Sequence, residues 1–451
     1  MNTVIIKGLI FIFGTGLISL SAKAQVAAEK TKGTQQKSYS LDSLWGQVKQ
    51  KSDQLLKSKQ ELISQEIASD RASRHWFPRG YLGLQSYYTN DPGTILFSKL
   101  GERNLTGLDM STTVMNYPEA SRHDRVTLGA EWLIFEGGAK RSVSKAEDIL
   151  FESKQAALTA AELSEYAKTS GLYGGLIALI RQEEALRPLA ELVKSTMDRY
   201  HIGQESNPLG HSGLLGLKNL AHRIQGELIM IKAKEEAIYT HVTSMTNLPS
   251  GWTPNEKDIP SFFKLIDHKP KTENSFSPSV LAQNKAAQGL SYFADAEAAR
   301  YLPQVGVFAE SNLYNNPEAT MSDSYNVGVF VKWNWLDIPS WGAIKQIRSQ
   351  SYAMNYQAQA AQKNQAAVEK QNNEISKALL EQVKMAEQSL LWLEKQSLIA
   401  KKLFSNGLIN ALQLTEVYAR RVDIIDAKYQ MEEALIKASV ENLNYKNITA
   451  P

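Results

Sequence analysis

Apolar and polar positions along the chain follow two alternating rhythms. From Leu41 to about Trp76 apolar residues recur at helical spacing, with Ser40 placed to cap the start. The pattern stops before Pro78, because a proline disfavours the α region in the residue that precedes it. Residues 78–88 then alternate with a period of two. Leu82, Leu84 and Tyr88 lie on one side, and Arg79, Tyr81, Gln85 and Tyr87 on the other. Asn90-Asp91-Pro92-Gly93 signals a turn, and the stretch up to about Asp124 reads as irregular. Alternation returns over residues 125–135, where Val126, Leu128, Ala130, Trp132 and Ile134 share a face opposite Thr127, Gly129 and Glu131. Gly137-Gly138 ends that strand. From Ala139 to Tyr200 only Pro188 and the glycines at 171, 174 and 175 oppose a helix of about 90 Å. Residues 201–213 read as a reversal, and Leu214 to Asn247 as a second helix.

The same programme then recurs. Residues 248–278 hold five prolines and read as a linker. Trp76-Phe77-Pro78 before the first strand has its counterpart in Tyr301-Leu302-Pro303. Strands are expected at 303–313 and 325–336, with the turn Asn315-Asn316-Pro317 between them. In the second of these, Val327, Val329, Val331, Trp333 and Trp335 share a face opposite Asn326, Gly328, Lys332 and Asn334. Gly342 precedes a helix running to about Phe404, Ser405-Asn406-Gly407 reverses the chain, and a last helix covers about 408–447. Residues 41–247 and 279–447 are thus two copies of one arrangement, which favours a single interleaved unit over separate globular domains. The last helix carries two adjacent apolar rows. One is Leu414, Val417, Ile424, Met431, Leu435 and Ala438; the other is Tyr418, Val422, Ile425, Tyr429 and Ile436. Two rows suit a helix wedged between two neighbours, as in a bundle or helical barrel wall.

Composition refines this picture at the ends of the chain. Residues 1–24 combine Lys7, an apolar run from Gly8 to Leu20 and Ala22-Lys23-Ala24, the layout of a cleaved export signal. Residues 25–40 are a polar leader, expected to be loose, and 448–451 a short tail. The 451 residues contain no Cys, which excludes disulfides, thiolate metal sites, a Cys nucleophile and an N-terminal lipid anchor through Cys. The net charge of +3 gives no reason to expect nucleic acid. No apolar run long enough for a spanning helix follows the signal, so a membrane would have to be crossed by strands.

Four alternating strands of 10–12 residues have the length of tilted bilayer-spanning strands. Their apolar faces and flanks carry Trp132, Trp333, Trp335, Tyr88 and Tyr325, as in interfacial aromatic girdles. A small soluble sheet packed on a helix is the competing reading. Four strands cannot close a membrane barrel, and an open edge in lipid leaves backbone groups unsatisfied, so several copies would have to pool their strands.

The order, spacing and duplication of these parts resemble the TolC-like outer-membrane efflux family. The matching residues are Phe77-Pro78 and Leu302-Pro303 before a strand, Trp132 to Gly138 and Trp335-Leu336-Asp337 after one, and the reversals at Gly203 and Gly407. The resemblance implies a mainly α fold with membrane β. A homotrimer would build a transmembrane barrel of four strands per protomer above a long α-helical barrel. It implies an exit duct in outer-membrane lipid that extends into the periplasm. The duct would be passive, without enzymatic activity or a cofactor, and would dock on a periplasmic adaptor and inner-membrane transporter. Pro78, Gly137, Gly138 and Pro303 would be strand–helix junctions, and Gly203, Gln204, Gly407 and Leu408 would lie on the docking tips. Alignment on Gly407 places Gln413 and Glu416 where the family has a pore-facing acidic ring, of which only Glu416 keeps the charge. Glu416 reads equally well as a solvated helix residue. Ile409 stands where a basic residue is common, and the first tip is longer and richer in helix breakers than the family's.

Other constellations are weaker. Gly171-Leu172-Tyr173-Gly174-Gly175 lies inside a helical pattern and lacks dinucleotide-loop spacing, so it points to close helix packing or a bend. His201, His211 and His222 cluster near one tip but have no metal-ligand spacing, and no resident metal is expected. A soluble periplasmic coiled-coil adaptor is the alternative function; duplicated strand pairs disfavour it. An exported hydrolase would need a carboxylate pair in a cleft, and none stands out.

Overall fold

The computed structural model describes residues 38–200, 208–248, 251–255, 276–314 and 322–444. The export signal, most of the leader, most of the proline-rich linker, the turn at 315–317 and the tail lie outside these residues. So do His201, Gly203 and Gln204.

The chain begins with β1 (Ser38–Tyr39), α1 (Leu41–Lys51) and α2 (Asp53–Ser73). The helix expected from Leu41 to Trp76 is therefore two helices. Ser52 is in an extended conformation between them, buried, with its hydroxyl donating to Glu165. Next come β2 (Arg79–Thr89), α3 (Pro92–Gly101), α4 (Thr112–Asn116) and β3 (Ser121–Glu136). The stretch read as irregular is thus partly helical, and the second strand starts before 125. The supposed turn at Asp91-Pro92 is a helix start. The Asp91 carboxylate accepts from the Thr94 amide at 2.7 Å, and Pro92 occupies the first turn, where no amide is needed.

α5 (Ala139–Asp198) runs unbroken through Pro188, with Leu186 and Leu189 fully buried on either side. A methyl group at Gly171 or Gly175 would make only ordinary contacts, with Val440 at 3.6 Å and Ile238 at 3.7 Å. Close approach therefore does not demand glycine at these two positions. α6 (Pro208–Thr246) starts earlier than Leu214, so half of the expected first reversal is helix, again with proline at its first residue.

β4 (Thr253–Pro254) pairs in parallel with β1. The end of the leader, expected to be loose, and the start of the proline-rich linker thus pin each other. Trp252 is the reason. It is buried, stacked on Tyr173 with ring centres 6.3 Å apart, and edge-on to Tyr39 and Tyr239. Its carbonyl accepts from the Tyr239 hydroxyl at 2.8 Å. An aromatic of this size buries enough apolar surface to hold a short strand on the helices.

α7 (Pro278–Ala299) leads into β5 (Gln304–Tyr314) and β6 (Ser322–Lys332). The last strand stops at Lys332 and not at 336, leaving Trp333 and Trp335 in the connection to α8 (Ala343–Ser405). α9 (Ala411–Leu443) completes the chain. Its row Tyr418, Val422, Ile425, Tyr429 and Ile436 is buried throughout. Of the second row, Leu414, Leu435 and Ala438 are buried, while Val417, Ile424 and Met431 are only half covered.

The helices pack around two cores. One gathers Leu44, Trp45, Tyr166, Tyr173, Tyr239 and Trp252 near β1 and β4. The other gathers Leu186, Leu189, Val193, Leu217, Ile224 and Tyr418 toward the helix reversals. At the far end, β2, β3, β5 and β6 form a four-stranded antiparallel sheet in the order β2-β3-β5-β6.

Candidate functional site

Register decides what each side of this sheet presents. Leu82, Leu128, Ser311 and Tyr325 form one row across the four strands, and Gly80, Ala130, Ala309 and Val327 the next. Trp132, Val307 and Val329 follow, then Phe135, Val305 and Val331. A bulge between Leu133 and Phe135 puts Phe135 rather than Ile134 opposite Val305. This face has nothing packed on much of it: Val327, Val329 and Val331 are 75%, 71% and 68% exposed. Burying such surface in an apolar medium is worth about 25 cal/mol per Å², so the face is unstable against water unless something covers it. Among the described residues no strand pairs with the outer edges of β2 and β6.

The opposite face is polar and tied across strands. Tyr81 donates to Glu310, Thr127 to Asn312 at 2.7 Å, and Arg125 to Gln85 at 2.6 Å. Three aromatic rings on this face cover glycines of the adjoining strand: Tyr81 covers Gly129, Phe330 covers Gly306 and Phe308 covers Gly328. Any side chain at those glycines would run into the ring.

The junctions to the helices repeat one device. Trp132 Nε1 donates to the carbonyl of Trp76 at 2.7 Å, and Trp333 Nε1 to that of Tyr301 at 3.0 Å. Each acceptor lies two residues before the proline that opens a strand, Pro78 or Pro303. Gly137 and Gly138 turn from β3 into α5 with φ of 62° and 87°, and Gly342 turns into α8 with φ of 92°. These are left-handed values, which glycine adopts without steric cost.

At the second helix reversal Gly407 is also left-handed, φ 74°. The Leu408 amide reaches the Leu403 carbonyl and that of Gly407 the Phe404 carbonyl, a Schellman closure. Asn410 then caps α9. It accepts from the Gln413 amide at 2.9 Å, while the Gln413 side chain accepts from the Asn410 amide at 3.1 Å. Gln413 is thus committed to a capping box. Glu416 is exposed and paired with Arg420 one turn on. Leu408 is exposed at the tip, and Ile409 packs against the second core. Across the gap, the Tyr200 ring at the end of α5 lies 5.7 Å from that of Phe404. His211 is half buried on α6 and His222 exposed; the described residues contain no cluster able to hold a metal ion.

One carboxylate between the helices is strained electrostatically. Asp426 on α9 is pushed up to about 6, first by burial and next by Glu227 on α6. Gln182 on α5 donates to it at 3.3 Å, but Arg223 on α6 stands 3.7 Å away because it favours Asp423 at 2.5 Å. The folded chain therefore holds this proton more tightly than the unfolded chain. The resulting destabilisation is full above pH 6 or so and is relieved as pH falls toward the ordinary carboxylate value. Asp426→Asn is expected to raise the thermal midpoint at about pH 7.5, with the gain shrinking below about pH 5. A pH series of melting curves, read by circular dichroism in detergent, checks this. An equal gain at every pH would count against it.

The helical insert α3–α4 falls in the stretch read as irregular. The signal was present in Asp91-Pro92-Gly93-Thr94, which is as good a helix start as it is a turn.

No protein-family model matches the chain, and no curated protein does. Solved structures do match. The channel-forming protein CusC superposes with a TM-score of 0.72 at 10% identity, over 91% of this chain and 93% of that one. The outer membrane protein VceC of Vibrio cholerae gives 0.68 at 15% identity, covering 90% and 96%. The outer membrane channel CmeC of Campylobacter jejuni gives 0.68 at 13%, covering 90% and 86%. The fold is therefore that of TolC-like outer-membrane channels.

Proposed function

We propose that this protein is the outer-membrane duct of a tripartite export system. It passively conducts substrates delivered by an inner-membrane pump through a periplasmic adaptor. The observation that carries the proposal is the sheet: an exposed apolar face, a polar face behind it and two edges that no strand among the described residues pairs. A bilayer covers the first, and three copies pooling four strands each satisfy the last. The recurring order of helix, strand, strand and two helices, with the paired tryptophan bonds at Trp132 and Trp333, supports an origin by internal duplication. α8 supplies the contact between copies in the helical barrel. Met385, Trp392 and Ile399 are exposed at heptad spacing, beside Leu391 and Leu398. Export by a cleaved signal at 1–24 and docking through Gly203, Gln204, Gly407 and Leu408 belong to the same reading. A soluble periplasmic adaptor would have no use for the apolar face.

The test is direct. Detergent-extracted protein should size as a trimer, resist carbonate extraction from outer membranes and give single-channel conductance. A monomer released by carbonate and silent in bilayers would refute the duct. Within an active channel, Glu416→Ala leaves Arg420 without its carboxylate. If Glu416 lines the constriction, reversal potentials in a salt gradient should shift toward anions. Unchanged selectivity would take Glu416 out of the pore.

A further inference from the structure

The connection between β2 and β3 is folded back over the polar face of the sheet. Ile95, Ser98 and Glu102 occupy one side of α3 and its end, and all three are buried. The Ser98 and Tyr87 hydroxyls are 2.5 Å apart. His123 Nδ1 lies 2.7 Å from Glu102, both side chains being almost wholly covered. The Tyr314 ring lies against Gly101, and Arg103 donates to the Asp323 carbonyl at 2.9 Å. These partners sit on β2, β3, β5 and β6 in turn, so the insert reaches across the whole sheet. Its outer side presents Phe97, Leu100, Leu108 and Tyr117 to solvent, between 56% and 84% exposed.

In the trimeric duct proposed above, on which this inference rests, the polar face lines the lumen and α3 stands inside it. It stands at the end remote from the long helices, the outer mouth. Twelve strands about 4.8 Å apart and tilted by about 40° enclose a backbone diameter of about 24 Å. A helix with its side chains is about 10 Å across, so three helices against the inner wall leave a gap of only about 4 Å along the axis, too narrow for a solute much larger than water. We propose that the three inserts meet one another through Phe97 and Leu100 and close the outer mouth. The occupant of each exposed apolar insert surface is the same surface of a second copy. The duct then carries a seal at its exit in addition to whatever closes its periplasmic tips, and must be opened at both ends to conduct.

The absence of Cys from all 451 residues makes single-cysteine tests clean. Phe97→Cys should give disulfide-linked dimers on oxidation of the membrane-embedded trimer. In a second variant, Lys332→Cys places a thiol at the inner end of the polar face. A polyethylene-glycol maleimide added outside intact cells should leave this thiol at background labelling. Labelling should become near complete once residues 91–119 are replaced by a short Gly-Ser linker. Equal labelling with and without the insert overturns the seal, as does a trimer whose Phe97→Cys copies do not link. Should the shortened protein fail to reach the membrane, the crosslink decides alone. A wild-type chain that is not a membrane trimer would instead sink the duct reading itself, which sizing and fractionation report separately.

Discussion

Val327→Lys should abolish assembly of the membrane trimer. Val327 is midway along β6, 75% exposed, in a row with Ala309, Ala130 and Gly80. Its row neighbours are small, so a lysine has no polar group to fold against. A lysine on the lipid side of a barrel costs about 2–4 kcal/mol at mid-bilayer, and a trimer carries it three times. The sum, about 6–12 kcal/mol, is comparable to the whole stability of a typical protein, about 5–15 kcal/mol. Asn326→Lys, one residue away, points to the polar face and should be tolerated. Unheated gel electrophoresis and outer-membrane fractionation would show the difference. Val327→Lys trimers at wild-type levels would mean that this face does not meet lipid.

Gly137→Val should be the most damaging single change at the junctions. Its φ of 62° is left-handed, which costs a side-chain-bearing residue about 1–2 kcal/mol. A Cβ there would lie 2.7 Å from the Ala299 carbonyl oxygen and 2.7 Å from Leu302 Cβ. Backbone cannot rotate aside, so overpacking adds about 1–3 kcal/mol. The obstruction falls where β3 leaves the sheet and where α7 hands over to β5, so both junctions are disturbed together. Gly138→Val is the control: φ is 87°, but nothing lies within 4 Å of the new Cβ. Melting in detergent should drop clearly further for Gly137→Val than for Gly138→Val. Equal losses would reduce the effect to backbone conformation alone.

Much of this architecture was legible because period carries it. The switch from helical to alternating spacing at Pro78 and Pro303 needs no tertiary information, and the strands begin there within a residue. Paired glycines at 137–138 and Gly407 announced turns that prove left-handed. What was hidden depends on contacts between distant segments. Trp252 sits in a proline-rich stretch that composition marks as linker, yet its ring fills a core formed by Tyr173 and Tyr239. Ser52 interrupts a helical pattern where its buried hydroxyl faces Glu165, far along the chain. Gln413 shares a capping box with Asn410, a local bond that alignment on Gly407 does not reveal.

The rings lying over Gly129, Gly306 and Gly328 bear on how the circle is drawn. Where one side of a sheet carries glycines roofed by neighbouring rings and the other carries branched valines, the two surfaces differ in bulk. Glycines at such positions are what lets a sheet kink and curve. Curvature toward the polar side is then written into each chain before it meets another. In the proposed trimer, association would be the joining of three pre-bent arcs, with inside and outside already decided by residues within each chain.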